Sequence, residues 1–119
     1  MTGLTIRDAG PEHAAQWHRL WQGYLEFYQV PLPPEITALT WARILDPASR
    51  LNCRLAQTGA GIVGFAVWHH HVASWSDRDD CYLEDLFVDP AARGQGIGRA
   101  LMDDLAALAR SRGFGRFYW

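Results

Sequence analysis

The sequence predicts an α/β domain with a mixed central β-sheet flanked by helices, and three observations carry that expectation. Strand-like and helix-like hydrophobic periodicities succeed one another in the order strand, helix, helix, strand, strand, strand, helix, strand. The connection Thr58-Gly59-Ala60-Gly61 between two apolar runs marks a hairpin. A glycine-rich turn from Arg93 to Gly98 then separates an apolar strand from the most amphipathic helix of the chain. At 119 residues, 49% of them hydrophobic and 20% charged, the chain is expected to form one domain over residues 1–119.

Each element has a local reason. Leu4 to Asp8 is a short strand, and Gly10-Pro11 opens a helix because the missing N–H of proline costs nothing at a first helical position. That helix runs to about Tyr28, with Ala14, Trp17, Leu20, Trp21, Tyr24, Leu25 and Tyr28 at three- and four-residue steps. Pro31, Pro33 and Pro34 break it, and a second short helix runs from Glu35 to Leu45, ended by Asp46-Pro47. Leu51–Gln57 and Ile62 to about Trp75 are the hairpin strands, followed by the polar turn Ser76–Asp80. Tyr82–Val88 is largely apolar, as a strand covered on both faces would be. From Gly96 to about Arg112, Ile97, Leu101, Leu105 and Leu108 make one stripe, and Gly113 stands where a C-terminal cap belongs. Phe114–Trp119 begins another strand. There is no internal repeat or low-complexity tract.

Composition excludes several chemistries. A formal charge of −2 and the lack of a long basic run argue against nucleic acid as a partner. All 11 basic residues are arginine, so neither a Walker-type phosphate loop nor a Schiff-base lysine is available. Cys53 and Cys81 lie far apart and read as reduced, buried thiols of a cytoplasmic protein. The N-terminus lacks the pattern of a secretory signal, and no stretch approaches the roughly 18 apolar residues of a membrane span, so no membrane partner is expected.

The stretch VDPAARGQGIGRALMDDL, residues 88–105, is the most informative part of the chain. The first turn of a helix carries unpaired N–H groups and partial positive charge, and glycine lets an anion approach them without meeting a Cβ. Gly94, Gly96 and Gly98 therefore fit a phosphate cradle, with Arg93 and Arg99 placed to add charge-assisted hydrogen bonds. The spacing is G-x-G-x-G rather than G-x-G-x-x-G, which disfavours a dinucleotide. The bland alternative is that the glycines only make a tight strand-to-helix turn. Arg93-Gly94-Gln95-Gly96-Ile97-Gly98, an R-x-x-G-x-G, together with the preceding YLEDLFVDP, resembles the GNAT superfamily of acetyl-CoA-dependent N-acetyltransferases. The order of elements from Leu4 to Trp119 agrees with it, and within the superfamily the motifs look most like diamine, polyamine and related small-amine or histone-type enzymes.

The resemblance implies that acetyl-CoA is the cosubstrate. Leu86, Phe87 and Val88 would offer main-chain hydrogen bonds to its pantetheine arm, and Gly94, Gln95, Gly96, Ile97, Gly98 and Arg99 would bind its pyrophosphate. An opened strand edge suits a chain of amides. The resemblance also implies that Glu84 accepts the proton of the acceptor amine through water, and burial at that point would raise its proton affinity. The other reading of Glu84 is a structural ion pair with an arginine. In a regular strand Asp85 points to the opposite face, which favours one base over paired carboxylates. Main-chain N–H near Phe87 is a candidate oxyanion donor.

The reading that follows is an N-acetyltransferase moving acetyl to a primary amine, on a small molecule or a lysine side chain, by direct attack. Its rival is a non-catalytic acyl-CoA-binding or sensing domain. Tyr24 and Tyr28, with the loop Val30–Glu35, form either core or a wall of the acceptor pocket, since aromatic faces attract ammonium groups. Asp77, Asp79 and Asp80 form a solvated turn that would also draw in a cationic amine. His69 and His71 share a strand face but lack further ligands at metal-like spacing, so no metal is expected. The family resemblance further implies a homodimer and, beyond Trp119, another helix and two strands carrying a tyrosine acid. The expectation is therefore a fold that is C-terminally incomplete, with Tyr118 left without a role and the aromatic strand Phe117–Trp119 uncovered on one side.

Overall fold

The computed structural model describes residues 3–119. Five strands form one sheet in the order β1-β2-β3-β4-β5: Thr5–Asp8, Asn52–Thr58, Gly61–His71, Asp80–Val88 and Arg116–Tyr118. The first four pair antiparallel, whereas β5 joins β4 parallel after a helical crossover, so the sheet is mixed as expected. Helices α1 (Ala14–Tyr28) and α2 (Pro34–Leu45) cover one face, and α3 (Ile97–Ser111) covers the other. Among the described residues no helix is long and apolar enough to cross a membrane.

Two apolar layers hold the sheet. On the α1 face Trp17, Leu20 and Trp21 pack with Leu55, Phe65, Val67 and Phe87, and the Trp21 indole donates to Thr37 Oγ1 at 3.1 Å, tying α1 to α2. On the α3 face Ile97, Leu101 and Leu105 pack against Ala56, Ala66, Trp68 and Leu83. Gly64 lets α3 come close: a Cβ there would stand 3.1 Å from the Phe87 carbonyl and 3.3 Å from Leu101. Helix α3 ends as expected at Gly113, with φ at +74°. The Phe114 N–H donates to the Ala109 carbonyl and the Gly113 N–H to the Arg110 carbonyl, a Schellman closure.

Three local expectations are corrected. The first helix begins with a 3-10 turn, Pro11–His13, whose N-terminal Gly10 N–H donates to His13 Nδ1. Strand β3 stops at His71 rather than running to Trp75, because the polar connection to β4 turns the chain away and leaves Trp75 98% exposed. Strand β4 is also irregular: Val67 pairs with Asp85 and Trp68 with Leu83, so Glu84 is the extra residue of a β-bulge. Cys53 and Cys81 are buried free thiols; burial pushes both up, Cys81 to about 11.

Candidate active site

The bulge decides which side chains meet. Upstream of it Cys81 and Leu83 face α3; downstream Leu86 and Val88 do, and Asp85 and Phe87 face α1. One extra residue has shifted the alternation by one, so Glu84 and Asp85 lie on the same α1-side face, against the expectation from a regular strand. Their environments differ. Asp85 accepts from the Tyr24 hydroxyl at 2.6 Å; burial raises its proton affinity, opposed by the Tyr24 bond and reinforced by the Glu84 charge. Burial, then the Asp85 carboxylate, also pushes the Tyr24 phenol well above its ordinary range. Glu84 is 46% exposed and sits 3.2 Å from His69 Nε2, so neither the expected burial nor the alternative arginine pair is found.

Two features of the cradle converge beside β4. Strand β5 pairs with β4 only along Asp80–Tyr82, and past Tyr82 the outer edge of β4 has no strand beside it. A cleft of about 380 Å³ opens along that edge, lined by Leu86, Phe87 and Val88, by Phe27 and Tyr28 from the end of α1, and by Arg93, Gly94, Gly96, Ile97 and Gly98. Asp89 fixes the turn between strand and helix: its carboxylate accepts from the Ala91 N–H at 3.0 Å and from Arg19 at 3.1 Å. Gly94 and Gly96 have φ near +80°, at +80° and +77°, and a Cβ on either would meet nothing within 4 Å. Backbone strain and not crowding calls for glycine there, and the space above the turn stays open. No side chain caps α3; its first backbone bond runs from the Ala100 N–H to the Gly96 carbonyl at 2.9 Å. The amides of the first turn thus face a bare concavity.

The cleft gathers most of the residues expected at a cofactor site, but not all. Arg93 lies across it, with its guanidinium 5.3 Å from the Phe27 ring centre and 5.4 Å from that of Phe87, and its Nε–H donates to the Val88 carbonyl at 3.2 Å. Arg99 turns outward, 84% exposed and 3.6 Å from Asp103, one helical turn on, and does not line the cleft. Gln95 and Tyr24 do not line the cleft, and Tyr24 is packed among Trp21, Phe65 and Phe87. Tyr28 does line it and is 59% exposed. Sequence reasoning missed Phe27 and placed Asp85 on the opposite face. Phe27 was hidden by lying off the apolar stripe of α1, the one signal being an aromatic on the polar face.

An amphipathic helix whose bare N-terminus adjoins an open strand edge in a mixed sheet is an arrangement shared with known proteins. The model of the acetyltransferase (GNAT) family matches residues 17–119. The chain belongs to this family. Its GNAT relatives include the D-amino-acid N-acetyltransferase of Saccharomyces cerevisiae, 34% identical over 119 residues that cover 98% of this chain and 73% of that protein. The thialysine N-epsilon-acetyltransferase of Mus musculus is 36% identical over 59 residues, 50% of this chain and 34% of that one. Among solved structures, a probable acetyltransferase superposes with a TM-score of 0.85 at 24% identity, over 96% of this chain and 76% of that one. The ribosomal-protein-alanine N-acetyltransferase of Brucella melitensis gives 0.79 at 21% identity, over 97% and 77%. These two likenesses speak for the fold alone. The family match extends to residue 119 and lends no support to the expected C-terminal shortfall. Membership makes the chain an acetyl-CoA-dependent N-acetyltransferase.

Proposed function

We propose that this chain transfers acetyl from acetyl-CoA to the primary amine of a small molecule or of a lysine side chain, with Glu84 accepting the proton of the amine. The observation that carries the reading is the junction of two kinds of free backbone in one cleft: the open edge of β4 and the uncapped amides behind Gly94–Gly98. A pyrophosphate suits that cradle because the space at Gly94 and Gly96 is open and no side chain caps the first turn of α3. Pantetheine amides match the edge of β4 as an added strand would, with Leu86 offering main-chain groups on that edge, whereas the Phe87 carbonyl is turned toward Gly64 of β3. The Val88 carbonyl is engaged by Arg93, so Arg93 exchanges that bond for a phosphate contact when the coenzyme binds.

Acetyl-CoA supplies a thioester carbonyl, and the residues of the chain do the rest. An ammonium cannot attack it, so a proton must leave before the N–C bond forms and the C–S bond breaks. Glu84 is exposed enough to receive that proton and stands on the face from which an acceptor approaches, while His69 holds its orientation. Amides of β4 near Phe87 are positioned to accept the developing charge on the carbonyl oxygen. Relatives that act on D-amino acids, thialysine and aminoglycosides support an amine as acceptor.

Thiol release and calorimetry test the reading together. Glu84→Gln is expected to lower kcat/KM for the best amine by about 10² or more while coenzyme A affinity is retained. Gly96→Leu is expected to abolish measurable coenzyme A binding in a protein that still melts cooperatively. Unchanged affinity in the glycine variant would overturn the cradle. Coenzyme binding with no thiol release for any amine would favour the acyl-CoA sensor instead.

A further inference from the structure

Beside Glu84 the sheet carries a cluster of histidines and tyrosines that do not line the coenzyme cleft. His69 pairs with Tyr82 across β3 and β4, and Tyr82 with Tyr118 across β4 and β5, while Trp68 and Cys81 point into the α3 layer. His69, His71, Tyr82 and Tyr118 therefore share the face away from α3, where the bulge also places Glu84. The ring of His69 stands 5.4 Å from that of Tyr82 and 6.2 Å from that of His71, and the Tyr82 and Tyr118 rings are 4.8 Å apart.

The three consecutive histidines of β3 are not equivalent. His71 is committed at both nitrogens: Nδ1 donates to the Val72 carbonyl at 2.8 Å and Nε2 accepts from the Tyr118 hydroxyl at 2.6 Å. His70 bonds Asp79 at 2.7 Å and stacks on Phe114 on the α3 side. His69 differs from both. Its Nε2 faces Glu84 Oε2 at 3.2 Å, its Nδ1 bonds no group among the described residues, and its side chain is 32% exposed. Asp85, the second acid on this face, is taken by the Tyr24 hydroxyl at 2.6 Å, so Glu84 is the carboxylate that His69 serves.

Resting on the reading of Glu84 as the proton acceptor, we infer that His69 takes the proton of the amine over from Glu84 and releases it to water. The base is then a carboxylate and an imidazole acting as a pair, with His69 working through Glu84 and not on the substrate. Proton bookkeeping gives the reason. An ammonium nitrogen loses two protons on the way to an amide, the departing sulfur gains one, and one goes to solvent in each turnover. Glu84 takes the first as the amine becomes neutral. It must be a carboxylate again when the N–C bond has formed and the C–S bond breaks, because the second proton leaves the nitrogen then and ends on sulfur. Nε2 accepts from a carboxylic acid and donates to a carboxylate, so one contact serves before and after the transfer. The imidazolium gives up its proton from Nδ1 to water, and exchange with water resets the tautomer of a partly exposed ring. An ordinary imidazole also binds a proton about a hundredfold more tightly than an ordinary carboxylate, so the pair holds a proton drawn from an ammonium better than a lone carboxylate does.

Thiol release from acetyl-CoA, with the best acceptor among D-amino acids, thialysine and aminoglycosides, tests this. His69→Gln keeps an amide that can donate to Glu84 but carries no proton; it is expected to lower kcat by about tenfold or more, with KM for the amine and coenzyme A affinity held within about twofold. His69→Gly is expected to lose as much and to regain kcat saturably with added imidazole, whereas Glu84→Gln gains nothing from imidazole. Wild-type kcat in His69→Gln means that the ring only orients Glu84 and overturns the inference, as does a cooperatively melting His69→Gly that ignores imidazole. Should the glycine variant fail to fold, the glutamine variant decides alone. The two readings fail separately: full activity in His69→Gln with activity lost in Glu84→Gln removes this inference only. Full activity in Glu84→Gln, or no thiol release with any amine, removes both.

Discussion

Two neighbouring carboxylates on β4 acquire different properties from their surroundings alone. Asp85 is enclosed, held by Tyr24 at 2.6 Å, and protonates more readily than an ordinary aspartate, chiefly through burial. Glu84 is open to solvent and faces His69 at 3.2 Å. Because the folded-state pKa of Asp85 is raised, its contribution to stability is fully present below the ordinary aspartate range of about 4 and is lost as pH rises through the raised value. Tyr24→Phe removes the bond that favours the charged form, so the variant should lose about 1–3 kcal/mol at neutral pH, where Asp85 must stay charged without its donor. The loss should shrink in acid. Chemical denaturation at pH 4 and pH 7.5 checks this, and equal losses at both would mean that Tyr24 acts only by packing. The motif YLEDLFV made both carboxylates legible as candidates, but not which would be buried. Burial depends on α1, some 60 residues earlier in the chain, which brings Tyr24 over Asp85 at a separation of 61 residues.

Among the elements, the turn from β4 to α3 joins a strand edge to a helix end, and its glycines do different work. Gly94 and Gly96 serve the backbone, since φ near +80° strains any other residue. Gly98 has no such need: a Cβ there would touch Val88 Cγ2 at 3.7 Å, an ordinary contact. Gly98→Ala should therefore stabilise the fold by about 0.5 kcal/mol through reduced chain entropy, and should weaken coenzyme A binding where the Gly98 amide meets the ligand. Thermal melting and calorimetry read the two effects separately; if affinity is unchanged, that amide does not meet the coenzyme. This element was almost fully legible, because glycine spacing, the Asp89-Pro90 turn and the Ile97–Leu105 stripe are all local signals. Strand β4 was less so. The bulge at Glu84 leaves no mark in YLEDLFV, since it is set by how β4 registers with β3. The placement of Arg99 is likewise not written in the motif: its exposed guanidinium lies 3.6 Å from Asp103, one helical turn on.

At the scale of the whole molecule, a sheet clamped between unlike helical layers leaves β4 half uncovered, and the cleft lies along the open half. The clamp depends on close approach of α3 to β3 at Gly64. A methyl there would press on the Phe87 carbonyl, Leu101 and Ile97 together, and Gly64→Ala should cost about 1–3 kcal/mol. Denaturation measures that directly, and a neutral result would show that α3 can shift without loss. The same shift would move the helix terminus that bears the cradle, so coenzyme affinity should fall with stability in this variant. By itself the sequence determined the order of elements, the two-layer cover of the sheet and the glycine-rich strand-to-helix turn, because periodicity, caps and glycine spacing are written within a few residues of where they act. Only the tertiary structure decided that Glu84 and Asp85 share a face and that Arg93 lines the cleft while Arg99 does not. Those outcomes follow from strand register and from contacts between residues distant in the chain, whose energies no local pattern records.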